Sequence, residues 1–209
     1  MAAASPGAAA AATSATELAD TLAALLQARR TVLPKRLGLP GPQAAELQAI
    51  LAAAGQAPDH GQLLPWRFIL VPQPLRPALG QAFVQALLER DPQAQPQEQQ
   101  RAREKAARAP LLLLLVLDSG CGDANIPAAE RILSAGCAVQ NLLLMATALG
   151  YGSALTSGKA LTSQALRRLF ALGAAESALC FVSIGTVLAD KPARLRPQPG
   201  DYVRSLEIP

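Results

Sequence analysis

The chain has 209 residues, of which 51% are hydrophobic and 16% are charged. This balance excludes an intrinsically disordered protein, which is rich in charge and poor in apolar residues. The 19 basic and 15 acidic residues leave a net charge of +4, which is too small for the electrostatic footprint of a nucleic-acid-binding protein.

The N-terminal half is predicted to be mainly helical. Residues 1–14 have low sequence complexity and are expected to form a tail, followed by a single domain over residues 15–209. The spacing of apolar residues marks helices and strands, and Pro and Gly mark the loops between them. Together they predict helix 15–30, loop 31–42, helix 43–56, loop 57–66, strand 67–71 and helix 75–90. The Gln- and Pro-rich residues 91–100 are predicted to be a loop or a mobile lid, and residues 101–108 a short basic helix.

The C-terminal half begins with LLLLLVL at 111–117, which is typical of a fully buried strand. The elements predicted after it are loop 118–128, helix 130–149, loop 150–160, helix 161–171, strand 178–188 and an extended Pro-rich tail from 190. About three strands among five or six helices, without strict alternation, predict an α+β fold.

Residues 132–149 carry no formal charge and are long enough to cross a membrane. Gln140 and Asn141 lie in the middle of this segment, where lipid could not satisfy their amides. We interpret the segment as the central helix of a globular protein or as a subunit interface. Three Cys without a CxxC pair, and no recognisable secretory signal, predict a reducing cytoplasm and no membrane association.

Patterns for metal binding and for nucleotide binding are weak in this chain. His60 is the only histidine and the three Cys are scattered, so no zinc spacing exists, and a catalytic triad would lack its G-x-S-x-G elbow. GSALTSGK at 152–159 has one residue too many between its glycines for a phosphate loop, and Ala160 replaces the magnesium-binding hydroxyl. No G-x-G-x-x-G follows a predicted strand.

Four polar segments remain as candidates for a binding site. Arg29-Arg30-Thr31 suits a phosphate, because guanidinium groups form fork-like charged hydrogen bonds, although an ordinary basic helix end has the same composition. The loop containing Gln56 and His60 could present donors to a heterocycle, or could be purely structural.

The third segment, Leu155-Thr156-Ser157-Gly158, has small residues that let the backbone approach a flat ligand closely; a plain connecting loop is the alternative. The fourth contains Lys191, Arg194 and Arg196. These cations could bind the same phosphate or belong to a solvated tail.

Together these segments resemble the flavin-dependent nitroreductase family. The residues that carry the resemblance are RRT, GQAPDHGQLLPWRF, ERILSAGCAVQNLLLMATALGYGSALTSG, VSIGTV and RLRP, in that order. The most similar members are small single-domain proteins with an A-P-D-H…P-W segment. The resemblance covers about residues 25 to 205.

The resemblance implies a nitroreductase-like fold with a mixed or antiparallel sheet, and an intertwined homodimer with the long helix at its core and FMN at the subunit interface. It assigns FMN contacts to Arg29, Arg30, Thr31, Gln56, His60, Leu155, Thr156, Ser157, Arg194 and Arg196. It also implies a ping-pong reaction in which NADH or NADPH reduces the flavin, which then reduces a nitroaromatic, a quinone or a similar small molecule. We expect no obligatory catalytic acid or base and no metal.

Two departures from the family pattern concern the flavin site. Leu33 stands where many members have Arg, and Lys35 or Arg36 could substitute for it. Leu155 and Thr156 stand where the most similar small members have a larger aromatic residue and a basic residue.

Two other functions remain open. A flavin-binding carrier or sensor without turnover would share these segments. A nucleic-acid partner would use Arg101, Arg103, Lys105 and Arg108, but this helix lacks aromatic residues for base stacking, so we interpret it as a solvated face and expect no nucleic acid.

Overall fold

The computed structural model describes residues 14–189 and 195–207, and helices and strands are mixed along them without strict alternation. The helices are α1 (Ala15–Ala28), α2 (Ala44–Ala54), α3 (Arg76–Leu88), α4 (Pro96–Glu104), α5 (Ala128–Ala148), α6 (Gln164–Leu169) and α7 (Pro199–Tyr202). The strands are β1 (Leu37–Gly38), β2 (Trp66–Leu70), β3 (Leu111–Asp118), β4 (Gly152–Thr156) and β5 (Glu176–Val187). This is the α+β architecture that the sequence predicts.

The five strands form one sheet in which every strand pairing is antiparallel. Strand β5 is central: it pairs along one edge with β3, which in turn pairs with β2, and along the other edge with β4, while β1 pairs with its C-terminal end. In this register Leu111 lies opposite Ile184, and Thr156 lies opposite Phe181.

Both faces of the sheet are covered by helices, which explains the unbroken apolar run of β3. Leu113 and Leu115 pack on one face with residues of α2 and α5. Leu112, Leu114 and Val116 pack on the other face with residues of α3 and α6. Successive side chains of a strand point to opposite faces, so every residue of this run is buried.

Helix α5 is long and apolar enough to cross a membrane by length and composition alone. Its residues Ala135, Ala138, Leu142 and Ala146 are fully buried against the sheet and α2. This packing is that of a core helix, in agreement with the interpretation of residues 132–149 above.

Residues 91–95 form the predicted loop, but residues 96–100 do not, because α4 begins at Pro96. Proline is tolerated in the first turn of a helix, where its missing N–H would have no intrahelical partner. The Gln95 N–H also donates to the Glu98 carboxylate (3.0 Å), as one half of a capping box. The proline that suggested a break is therefore a helix start.

Residues 150–160 contain strand β4, which the sequence analysis missed, so the expected three strands become five. Its small residues have little intrinsic strand preference, and the pairing with β5 supplies the hydrogen bonds. The predicted helix 161–171 is a 3₁₀ turn at Lys159–Thr162 followed by α6. Helix α7 interrupts the tail expected to be extended, and residues 1–13, 190–194, 208 and 209 lie outside the described residues.

Arg131, which is 2% exposed, fixes the loop before α5. Its guanidinium donates hydrogen bonds to the carbonyl oxygens of Cys121 (2.5 Å), Asp123 (2.6 Å) and Ile126 (3.2 Å). These bonds attach the loop to the first turn of the core helix.

We expect Arg131→Met to lower the free energy of unfolding by about 3 kcal/mol or more, because it leaves three carbonyl acceptors without their charged donor. Urea denaturation of the two proteins measures this difference. Arg103→Met, at an exposed arginine, serves as the control and should change stability by about 0.5 kcal/mol or less. A loss below about 1 kcal/mol for Arg131→Met would show that water replaces the guanidinium.

Candidate functional site

Arg29 and Arg196 bring two positive charges together at the C-terminal end of α1. The carbonyl oxygen of Arg29 accepts a hydrogen bond from the Arg196 guanidinium (2.8 Å). Partial burial, followed by the charge of Arg196, lowers the pKa of the Arg29 guanidinium. Within residues 14–189 and 195–207, neither guanidinium pairs with a carboxylate. Two like charges held together without a counter-ion favour the binding of an anion.

Thr31 joins this arginine pair to the sheet. It forms an isolated parallel bridge with the buried Ser153 of β4, and the Val32 N–H donates to the Ser153 carbonyl oxygen (2.8 Å). The chain therefore leaves α1 alongside β4. Two residues further on, from Leu33 to Lys35, it lines an open cleft.

The cleft has a volume of about 660 Å³, within the usual range of small-molecule sites. Phe83 and Phe181 contribute to its apolar lining and pack edge to face, with ring centroids 5.6 Å apart. Thr156, Ser157 and Gly158 line it at the end of β4. The cleft thus combines an aromatic surface with hydroxyl groups and exposed backbone.

Cations dominate the charged lining of the cleft. One carboxylate, Glu98, is present, and it accepts a hydrogen bond from the Gln95 N–H at the start of α4. The basic lining residues are Lys35, Arg90, Arg101, Lys105, Arg108 and Lys159. Among the described residues, all of them except Arg90 lack a side-chain hydrogen bond or ion pair within the protein.

His60 lies at the start of a 3₁₀ turn and contacts α5. Its Nδ1 atom makes a short hydrogen bond with the Glu130 carboxylate, in the first turn of α5. Gly61 follows with a φ of +71°, and a Cβ at this position would lie 2.8 Å from the Ile126 Cδ1 atom. The glycine therefore permits the close approach that brings His60 to Glu130.

The backbone of this loop is strained. Gln62 and Leu64 have φ values of 51° and 48°, in the left-handed region that costs a non-glycine residue about 1–2 kcal/mol. A hydrogen bond from the Leu64 N–H to the Asp59 carboxylate (2.7 Å) holds the loop in place. Such strain is concentrated at functional sites.

The structure brings together part of the predicted site. Arg29 and Arg196 are in contact, and Thr156 and Ser157 line the cleft. Three other predicted residues, Leu155, Gln56 and His60, do not line it in the single chain. Leu155 is 43% exposed. Successive side chains of a strand point to opposite faces, so Leu155 points away from the side to which Thr156 points.

The remaining predicted residues are less directly placed. Arg30 and Thr31 lie between α1 and the cleft but are not among its lining residues. Lys35 does line the cleft, whereas Arg36, its alternative, does not. Arg194 and Lys191 lie outside the described residues.

The sequence analysis missed the basic wall of the cleft. It assigned Arg101, Lys105 and Arg108 to a solvated face; all three are exposed, and they also line the open cleft, whereas Arg103 does not. Arg101, Lys105 and Arg108 are separated by four and three residues, a spacing that places side chains on one side of a helix. This spacing is the sequence signal for a basic surface. Among the described residues, no group of three His, Cys, Asp or Glu side chains could hold a metal ion.

Sequence comparison gives a direct match to one family. The sequence model of the Nitroreductase family matches residues 26–186. A Haemophilus influenzae protein named "Putative NAD(P)H nitroreductase" is 35% identical over 152 residues, which cover 73% of this chain and 82% of that protein.

Solved structures share the fold at lower identity. A nitroreductase-like family protein from Bacillus cereus superposes with a TM-score of 0.74 at 18% identity, covering 89% of this chain and 96% of its own. A variant of the FMN and NADPH-dependent nitroreductase NfnB from Sphigopyxis sp. strain HMH gives a TM-score of 0.69 at 17% identity, covering 87% and 97%. On the family match and the 35% identical relative, this chain belongs to the nitroreductase family.

Proposed function

We propose that the protein is a cytoplasmic FMN-dependent oxidoreductase that uses NADH or NADPH to reduce a nitroaromatic, a quinone or a similar small molecule by a ping-pong mechanism. The observation that carries the proposal is that Arg29 and Arg196 lie together with no carboxylate partner among the described residues. Arg29 lies four residues before Leu33, which lines the cleft. The names of the related proteins, which mention NAD(P)H and FMN, support it.

The donor set of this site suits FMN. The arginine pair matches a phosphate dianion, because each guanidinium can form charge-assisted hydrogen bonds to its oxygens. The Thr156 and Ser157 hydroxyl groups and the exposed backbone at Gly158 offer polar contacts to a flat ring system. FMN bound here would supply the redox chemistry, by taking up hydride equivalents and passing them on.

The protein's own residues bind and orient rather than transfer protons. The cleft cations would stabilise negative charge on a reduced ring system, as preorganised charges do for developing anions. Glu98 accepts a hydrogen bond from the Gln95 N–H, and the other lining residues that the structure describes include no acidic or imidazole group. We therefore assign no side chain as an obligatory general acid or base.

A homodimer is part of this proposal. Helix α1 has no buried residue, and Leu18, Leu22 and Leu26 form an exposed stripe along it (58%, 51% and 47% exposed). An isolated helix of 14 residues is marginally stable in water. Ile132 and Leu133 of α5 are also 50% and 69% exposed. A second copy of the chain would cover these surfaces.

The dimer also gives the exposed loop of Gln56 and His60 a role. These residues do not line the cleft of their own chain, and we propose that they reach the FMN of the other subunit. The Glu130 carboxylate accepts the Nδ1 proton of His60, which leaves Nε2 as the free ring nitrogen. Glu130 is then a positioning residue for His60.

We expect the purified protein to show flavin absorption bands that bleach when NADH or NADPH is added without oxygen. Arg29→Gln and Arg196→Gln should each weaken FMN binding about 10- to 100-fold, because each removes a charged donor. Titration of the apoprotein with FMN measures the dissociation constants. Arg204→Gln is the matched control, because among the described residues the Arg204 guanidinium bonds to the Gly200 and Val203 carbonyl oxygens and to no side chain.

The spectrum separates the alternatives. Flavin bands that resist NADH and NADPH would contradict the oxidoreductase and indicate a carrier or sensor. A colourless protein that takes up no FMN would contradict both functions.

We expect the wild-type protein to sediment as a dimer and Leu22→Asp or Leu133→Asp to shift it toward the monomer, because each places a charge in a desolvated apolar contact. Sedimentation velocity over a range of protein concentrations measures the distribution. Gln27→Asp, on the same helix as Leu22, should leave the dimer intact. A monomeric wild-type protein would refute this part of the proposal.

We expect the neutral ring of His60 to carry its proton on Nδ1 and Glu130→Gln to abolish this preference, since the carboxamide can donate as well as accept. Long-range ¹H–¹⁵N NMR of the untagged protein under alkaline conditions reports the tautomer, and the single histidine makes the assignment unambiguous. Glu46→Gln, at a carboxylate bonded to Tyr151, should change nothing. An unaltered spectrum in Glu130→Gln would contradict the positioning role.

A further inference from the structure

The positive charge of the cleft exceeds what FMN would use. Six cations and one carboxylate line the cleft, and five of the cations have no side-chain partner among the described residues. The proposed phosphate site, Arg29 with Arg196, lies outside this lining. A reduced flavin ring carries a single negative charge, so at least four positive charges remain uncompensated.

These cations converge from separate segments of the chain. Lys35 follows α1, Arg101 and Lys105 belong to α4 and the turn after it, Arg108 precedes β3, and Lys159 follows β4. Like charges that share a cleft repel one another, and low-dielectric walls strengthen the field between them. The edge-to-face pair of Phe83 and Phe181 supplies such a wall and an apolar surface for a ring.

We propose that the cleft binds a ring-containing substrate that carries a carboxylate or phosphate group, and that Lys105 and Arg108 recognise this anion. The proposal rests on the proposed function, since it names the substrate class of the same site. The apolar floor contacts the ring, and the cations compensate the anionic group. Neutral aromatic compounds of the same shape bind more weakly because they leave the cations unpaired.

The anion has two possible sources in a two-substrate reaction. An acidic aromatic electron acceptor would bring its own carboxylate. NADPH would bring a 2′-phosphate that NADH lacks. The same cations serve either source, and separate measurements on the acceptor and on the donor distinguish them.

The acceptor is tested with a matched pair, 4-nitrobenzoate and its neutral methyl ester. Calorimetric titration of the oxidised holoprotein should show that 4-nitrobenzoate binds more tightly, and that Lys105→Gln and Arg108→Gln each weaken it about five- to tenfold. Binding of the ester should change less than twofold. The donor is tested by the KM for NADH divided by the KM for NADPH. If the 2′-phosphate is the anion, either variant raises the KM for NADPH and so lowers this ratio about five- to tenfold.

Arg103→Gln is the matched control, because Arg103 lies on α4 but does not line the cleft and bonds instead to Gln100 (2.9 Å). Weaker binding of 4-nitrobenzoate by the variants identifies an acidic acceptor as the source of the anion. A lower KM ratio identifies NADPH as the source. No shift in either arm, or an equal shift in Arg103→Gln, overturns the proposal.

The failure of this inference is distinguishable from that of the proposed function. FMN content and bleaching by NADH or NADPH report the proposed function directly. A protein that binds and reduces FMN but shows no preference for anions refutes only the inference. A protein without flavin refutes the proposed function, and calorimetry with 4-nitrobenzoate on that protein still tests the cations of the cleft.

Discussion

The pairing of β5 along both of its edges is the constraint on which the rest of the structure depends. On one edge β3 supplies the most buried strand of the sheet, and on the other edge β4 continues the sheet. Because Thr156 lies opposite Phe181 in the β4 pairing, the hydroxyl wall and the aromatic floor of the cleft meet at one point. Thr31, bridged to Ser153, brings the chain that follows α1 to the same place. Sheet register thus positions the candidate site.

Uncompensated positive charge is the second organising feature. The molecule contains well-compensated cations: Arg67 donates two hydrogen bonds to Glu176 (2.7 and 3.0 Å), and this bond raises the pKa of the guanidinium. At the Arg29–Arg196 pair the environment acts in the opposite direction and lowers the pKa of Arg29. A folded protein tolerates such repulsion where a bound anion relieves it. The contrast separates the ion-paired Arg67 from the two arginines that we propose bind an anion.

The sequence predicted the parts of the fold whose residues carry a strong local pattern. The apolar run of β3 and the long α5 belong to this class, since burial on both faces leaves a continuous hydrophobic signal. Strand β4 does not, because its strand conformation depends on β5. A Cβ at Gly152 would lie 2.6 Å from the Val187 Cγ2 atom, so the glycine reflects close packing between distant segments. The C-terminal part of α4 lies within the predicted helix 101–108, but its start does not, because proline breaks a helix interior and yet is tolerated at Pro96 in the first turn.

The candidate site followed the same division. Motif resemblance predicts Arg29, Arg196, Thr156 and Ser157 as FMN contacts; the fold brings the two arginines together and places the two hydroxyl residues in the cleft. The cations from Arg101 to Arg108 carry no motif, and their role depends on which side of α4 and the following turn meets the sheet. Contacts across a subunit boundary, as proposed for Gln56 and His60, leave no local pattern either. The sequence therefore predicts binding residues best where they belong to a motif, and least well where tertiary packing brings them to the cleft.

On the proposed function, helix α1 links assembly to ligand binding. Its leucine stripe is exposed in the single chain, and its C-terminal end carries Arg29. Without a partner to cover the stripe, little packing energy would hold the helix, and the arginine pair would lose its fixed geometry. An anion that binds only the ordered pair stabilises the helix by mass action, and it thereby stabilises the surface that the second subunit covers. On the proposed function, cofactor binding and dimerisation are thermodynamically coupled through this one helix, and each strengthens the other by the same factor.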